Sequence, residues 1–371
     1  MSKPPISTSR RILYWLIALV CIVLIAELIC RAYYYRRNAS SSLALIQLFK
    51  DSKKLVGSGL GGNQSDTAYR PDLKDDDRHK LAKENKESDR VVYEPWVQFY
   101  FRDYEGEFVN VKKGIRRSAP EVSDSSAKSP FTILFLGGST MFGYNLRDEE
   151  TIPSIFAKTY KERFPSDRPI RVINQGIPYY FSYQELMLLT HKLYTEKKPD
   201  MVIMLDGLND CLQLYSAFYR QPYFSAAISK FVNPSLAELP EDYSYYSSPQ
   251  GISDDSVFNT VSNNYLSNIS TAKYLAESYG VELYCFWQPA PFHNYPNRAK
   301  DPACAKFERP AFDSIYPKIK SASEKRDYLF YLGDMLQNEK GTPFVDKTHY
   351  SVEMNRKIVE EIMKTLNRTA N

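Results

Sequence analysis

Four apolar runs, at residues 131–136, 171–174, 201–205 and 281–287, stop at or beside small or polar residues, and helical patterns fill the intervals between them. Short continuous apolar runs of this kind read as strands buried on both faces. Strands separated by helices pair in parallel through right-handed crossovers. The helical patterns are explicit. Ile152, Ile155, Phe156 and Tyr160 share one face over 151–164, with Pro153 in the first turn. Ser182 and Glu185 have the spacing of a capping box opening a helix that runs to about Thr195. Val257, Val261, Leu266, Ile269, Ala272 and Leu275 form a stripe that ends at Gly280. Phe344-Val345 reads as a short fifth strand, and Ser351 caps a last helix bearing Met354, Ile358, Ile362 and Leu366. The expected class is α/β, with a parallel sheet.

Such a sheet gathers whatever follows its strands along one edge. Here that is Gly137-Gly138-Ser139-Thr140, then Gly176, then Gly207-Leu208-Asn209-Asp210, and finally Asp346-Lys347-Thr348-His349. A serine hydroxyl is a weak nucleophile until a base takes its proton and a third group fixes the tautomer of that base. Ser139, His349 and Asp346 supply these three parts, because Asp-x-x-His lets one turn present both side chains. The oxyanion of an acyl-transfer intermediate also needs donors. The backbone N–H of Ser139, the backbone N–H of Gly176 and the side-chain amide of Asn209 are the expected ones. Among the other histidines, His293 follows the fourth strand and reads either as a substrate contact or as a loop residue, while His191 and His79 read as solvated. Asp206 and Asp210 flank Asn209 without a third ligand nearby in sequence, so capping is expected of them in place of a metal site. No metal and no cofactor are expected.

These four ordered blocks resemble the SGNH, or GDSL-type, hydrolase superfamily over residues 131–366. The resemblance implies a three-layer flavodoxin-like fold, with a five-stranded parallel sheet of order 2-1-3-4-5. It also implies Ser139 as nucleophile, His349 as base, Asp346 as its orienting acid, and Gly176 and Asn209 as oxyanion donors. The first block departs from the family pattern, with Gly138 where Asp often stands. Trp96, Gly114-Ile115-Arg116 and Gln288-Pro289 resemble features of membrane-anchored or exported bacterial members. There is no Gly-x-Ser-x-Gly elbow around Ser139, which argues against the α/β-hydrolase fold.

The N-terminus carries a different signal. Residues 12–30 are almost wholly apolar with aromatics at both ends, and no small-x-small cleavage site follows before Arg31. The expectation is an uncleaved transmembrane signal anchor after a short tail at 1–11. Basic residues tie across the span, with Lys3, Arg10 and Arg11 against Arg31, Arg36 and Arg37. A cytoplasmic N-terminus is the commoner arrangement, which places the catalytic part outside the cytoplasm, in the periplasm if the cell is Gram-negative. Residues 31–90 read as a flexible stem rich in Ser, Gly, Asp and Lys, and 91–130 as a folded lead-in containing a hairpin. The hydrolase-like domain is expected over 131–371. Insertions at 212–251 and 290–340 follow strand ends and are suited to walls or a lid. Tyr215 and Tyr219 in the first suit carbohydrate stacking as well as ordinary packing.

With 48 Lys and Arg against 44 Asp and Glu, scattered along 371 residues, the net charge of +4 carries no nucleic-acid footprint. Cys211, Cys285 and Cys304 leave room for one disulfide and a spare thiol. The function expected is a membrane-anchored serine esterase removing O-acetyl or other short acyl groups from an envelope carbohydrate. An O-acetyltransferase with the same triad and a catalytically silent glycan-binding or assembly protein are the alternatives. The partners expected are an acylated carbohydrate or other ester and the lipid around the anchor.

Overall fold

The computed structural model describes residues 8–35, 68–94, 97–119, 129–164, 168–195, 197–212, 255–304 and 309–369. The chain divides into two compact units, Met1–Gly62 and Asn63–Asn371. In the first, α1 spans Thr8–Tyr35, and Trp15, Ile22, Leu28 and Ile29 lie exposed on it. Among the described residues no helix is long and apolar enough to cross a membrane. Side chains of α1 are described only for residues 14–30.

The second unit opens with α2 (Asp75–Ser88), in a stretch expected to be part of a flexible stem. Its composition is polar, yet Leu81, Glu84, Asn85 and Ser88 are buried. Leu73 and Leu81 pack on Phe108 and Val109. The Glu84 carboxylate accepts the N–H groups of Glu107 (3.0 Å), Phe108 (2.8 Å) and Val109 (3.0 Å). A polar helix is ordered here by a few anchoring contacts, which hydrophobic periodicity does not register.

The expected hairpin is β1 (Val91–Glu94) paired with β2 (Gln98–Phe101); Trp96, between them, lies outside the described residues. Three short strands follow: β3 (Tyr104–Glu105), β4 (Asn110–Lys112) and β5 (Ile115–Arg116). The alternating part then runs β6 (Phe131–Gly137), α3 (Ser139–Phe142), α4 (Ile152–Arg163), β7 (Ile170–Gly176), α5 (Ser182–Thr195), β8 (Met201–Asp206) and α6 (Leu208–Leu212). It continues through α7 (Asp255–Ser278), β9 (Glu282–Trp287), α8 (Pro310–Ser323), β10 (Leu329–Tyr331) and α9 (Val352–Thr369).

The sheet order is β10-β9-β8-β6-β7-β5-β4-β3. Its five parallel strands, taken in chain order, have the expected 2-1-3-4-5 arrangement. Two expectations are corrected. The sheet is mixed and eight-stranded, because β5 pairs antiparallel with the free edge of β7 at Arg116 and Asn174, and β4 and β3 extend it. The fifth parallel strand is Leu329–Tyr331, not Phe344-Val345, and Phe344 makes only an isolated bridge to Tyr350. This strand is hidden in the 290–340 insertion because it is only three residues long, below the length at which a run is recognisable.

Strand order reverses after β7, so right-handed crossovers place α4 on one face and α5, α7 and α8 on the other. On the first face Ile152 and Phe156 of α4 and Met354, Ile358, Ile362 and Leu366 of α9 bury Ile133, Phe135, Ile203 and Leu205. Thr151 caps α4 by accepting the Ser154 N–H. The capping box expected of Ser182 and Glu185 does not form. The Ser182 hydroxyl donates to Asp210 (2.5 Å), and Gln184 accepts the Phe181 N–H in its place. Cys211, Cys285 and Cys304 are buried free thiols, so the optional disulfide is absent among them.

Candidate active site

β6 ends at Gly137, Gly138 is the N-cap of the short helix α3, and Ser139 opens that helix. The β6 and β7 registers align Gly137 with Gly176, and Gly137 also lies opposite Leu205 of β8. Three strand ends therefore meet at one point. His349 arrives from the loop before α9, fixed on both sides. Val345 donates its N–H to the His349 carbonyl (2.8 Å), and the Tyr350 hydroxyl donates to the Pro289 carbonyl at the end of β9.

The result is a continuous chain of polar contacts. His349 Nε2 lies 2.7 Å from Ser139 Oγ, and His349 Nδ1 lies 2.7 Å from Asp346 Oδ2 and 2.8 Å from Oδ1. Asp346 Oδ1 also accepts the N–H groups of Thr348 (3.0 Å) and His349 (2.9 Å). Burial alone would raise the Asp346 carboxyl, but His349 and these backbone donors hold it below its ordinary value. An ionised Asp346 only accepts hydrogen bonds, so it keeps the proton of His349 on Nδ1 and leaves Nε2 to accept from Ser139. The Tyr144 ring packs on the imidazole with centroids 5.0 Å apart.

Asn209, at the start of α6, donates one amide hydrogen to the Tyr180 carbonyl (2.7 Å). Its amide nitrogen fits against Gly138, where a Cβ would overlap it. Gly138, Ser139, Tyr180, Asn209 and Gln288 are among the residues lining one partly open cleft. Gln288 accepts from the Thr140 hydroxyl (2.8 Å) and ties α3 to the end of β9.

Gly176 has a different setting from the one expected. Its N–H donates to Asn174 Oδ1 (3.0 Å), and a Cβ there would overlap the backbone N of Phe142. The glycine lets β7 pass closely under α3, and its amide already has an acceptor within its own strand. His293 is not brought to the triad either. Nδ1 is 3.2 Å from Asp313 and Nε2 3.7 Å from Asp334, and its ring packs on Tyr316. Its carboxylate partners are remote in sequence. Tyr215 and Tyr219 lie outside the described residues. Among the described residues no cluster of His, Cys, Asp and Glu is arranged to hold a metal.

Beneath Asn209 lies a buried acid cluster in which Glu185 joins Asp206 and Asp210, the pair noted in the sequence. Glu185 of α5 and Asp206 of β8 face one another, with Asp210 of α6 beside them. Burial pushes all three carboxyls up, Asp210 to about 6, and Glu185 and Asp206 also feel the charge of their acidic neighbours. Two further residues have roles that the sequence did not indicate, although Arg116 was noted within Gly114-Ile115-Arg116. Arg116 of β5 is fully buried; it donates to Asp148 (2.6 Å) and the Leu146 carbonyl (2.8 Å), fixing the loop after α3. Asn145, in that loop, donates to Asp346 Oδ2 (2.5 Å). Only contacts between distant residues identify either one.

No protein-family model matches the chain, and no curated protein matches it. Solved structures with some likeness include a lipase from a goat rumen metagenome, at 12% identity, 63% coverage of this chain, 97% of that chain and a TM-score of 0.42. A member of the lipolytic protein G-D-S-L family from Veillonella parvula aligns at 10% identity over 64% of this chain and 98% of that one, with a TM-score of 0.39. The structure of TesA aligns at 15% identity over 63% and 97%, also at 0.39. Likeness of this degree carries no weight for chemistry; the geometry around Ser139 does.

Proposed function

We propose that the chain is a membrane-anchored serine esterase of the SGNH type. The observation that carries this reading is the unbroken run of 2.7 Å contacts from Ser139 through His349 to Asp346. In the proposed reaction Ser139 Oγ attacks the ester carbonyl while its proton passes to His349 Nε2, and Asp346 stabilises the imidazolium. The Ser139 N–H and the second amide hydrogen of Asn209 serve the oxyanion. The alcohol leaves with the proton from Nε2. Water, activated by the same nitrogen, then releases the acid from Ser139.

An O-acetyl group on an envelope carbohydrate is the substrate proposed, on the strength of the apolar run at 12–30 and the extracytoplasmic placement it implies for the rest of the chain.

The test uses the full-length chain recovered from membranes and assayed on acetyl esters and on O-acetylated polysaccharide. Ser139→Ala and His349→Ala should each lower kcat by roughly 10⁴-fold or more. Turnover that survives both substitutions would remove the serine mechanism. Release of the chain from membranes by alkaline extraction would remove the anchor.

A further inference from the structure

Asn145 belongs to none of the strand-end blocks, yet its amide donates to the same Asp346 oxygen that faces His349 Nδ1. It adopts the left-handed conformation (φ 63°) that asparagine tolerates better than most residues. Its backbone is held from both sides by the segment that precedes the sheet. The Asn145 N–H donates to Asn85 Oδ1 (3.2 Å), and its carbonyl accepts from Arg70 Nη1 (3.2 Å). Asn85 is buried on α2 and donates in turn to the Leu81 carbonyl (2.8 Å). Arg70, 2% exposed, forks onto Glu150 at 2.7 and 2.9 Å and onto Asp72 at 2.8 and 2.9 Å.

The same segment reaches the other side of the acid. The Tyr69 N–H donates to the carbonyl of Val345 (2.6 Å), the residue before Asp346, and Ala68, Leu146 and Val345 pack together. Residues 68–85 therefore touch the neighbours of both Asn145 and Asp346. A surface helix that merely covered the core would have no reason to converge on two residues so far apart in sequence.

We propose that Asn145 is a positioning residue for the triad acid, and that residues 68–89 form an arm whose task is to hold it there. This inference rests on the reading of Ser139, His349 and Asp346 as a catalytic triad. The carboxylate of Asp346 would otherwise be fixed mainly through Oδ1, by the backbone of its own turn. Asn145 fixes Oδ2, and with it the plane in which the imidazole is held. Ionisable groups around this point are Tyr144 stacked on the ring, Arg70, Asp72 and Asp89 from the arm, Glu150 from the following turn and Lys347 beside the acid.

The full-length chain and its Asn145→Ala and Asn145→Asp variants are compared by three readouts: kcat and KM per serine labelled with a fluorophosphonate, the pH profile of kcat/KM, and the downfield proton resonance of His349 Nδ1–H. In Asn145→Ala, kcat per labelled site should fall roughly 10- to 100-fold, the scale on which misplacing a catalytic group by about 1 Å acts, with KM nearly unchanged and the resonance displaced. In Asn145→Asp the added negative charge favours the imidazolium, so the acid limb should move to higher pH. Asn85→Ala should give a smaller change of the same kind as Asn145→Ala. A variant set that loses only thermal stability, with kcat per labelled site, acid limb and resonance all unchanged, overturns the proposal. If the parent neither turns over nor labels, the esterase reading fails by itself. The His349 resonance then decides the positioning role: displaced in Asn145→Ala it stands, unmoved it falls.

Discussion

Gly138 illustrates how little room the site leaves at the level of single residues. Its φ of −82° is ordinary for any residue, so backbone freedom does not explain it. The reason is close approach, because a Cβ would overlap the Asn209 amide nitrogen and come within 3.0 Å of the Tyr180 carbonyl. Gly138→Ala should therefore push the Asn209 side chain away from Ser139. If Asn209 is an oxyanion donor, kcat should drop by ~10²- to 10³-fold, the usual cost of losing one, while fluorophosphonate labelling of Ser139 persists. An unchanged kcat would show that Asn209 does not act on the transition state. Ser139, His349 and Asp346 were legible as candidates because a serine beyond a strand and an Asp-x-x-His turn are local patterns. Asn145 was not, since an asparagine in a turn has many ordinary uses, and Arg116 was noted only within Gly114-Ile115-Arg116, without its role. Gly176 was legible as a tight spot, but its amide proves to be bonded to Asn174.

Among the elements, the arm before the sheet departs furthest from expectation. Its sequence has the composition of a stem, and its order comes from isolated anchors: Arg70 on Glu150, Glu84 on three backbone N–H groups and Asn85 on Asn145. Anchors of this kind have no period, so pattern reading passes over them. A chain begun at Val91 would leave Glu150, 15% exposed in the structure, without its guanidinium partner. The shorter chain also loses the packing of Leu73 and Leu81 on Phe108 and Val109. Chemical denaturation should show a chain begun at Asn63 to be more stable than one begun at Val91. Turnover should also fall in the shorter chain. Equal stability of the two would mean that α2 is only loosely held.

For the whole molecule, the buried carboxyls set the dependence of stability on pH. Glu185, Asp206 and Asp210 have folded-state values above the ordinary 4.5 and 3.8, Asp210 reaching about 6. The folded chain therefore binds more protons than the unfolded chain over that interval. Each group's contribution is greatest below its unfolded value and is lost as pH rises through its folded value. Asp346 works oppositely, losing its contribution as pH falls through its depressed value. Urea unfolding should thus find the chain less stable at pH 8 than at pH 5.5. Glu185→Gln, which removes one of the raised titrating carboxyls, should flatten that slope. A parent slope of the opposite sign would mean that the cluster is hydrated or paired with an unseen cation.

The sequence alone determined the α/β class and four of the five parallel strands, and it singled out Ser139, His349 and Asp346, while the 2-1-3-4-5 order was what the resemblance to the SGNH superfamily implied. Periodicity and residue type are local properties, so class, strands and candidate residues need no knowledge of the rest of the chain. Only the tertiary structure decided that the sheet continues through β5, β4 and β3, that its fifth parallel strand is Leu329–Tyr331, and that Arg70, Asn85 and Asn145 stand behind Asp346. Each of these depends on which unpaired edge, or which buried polar atom, lies opposite another. Residues 70 and 150 or 145 and 346 carry no mark of their pairing until the fold brings them within hydrogen-bond distance.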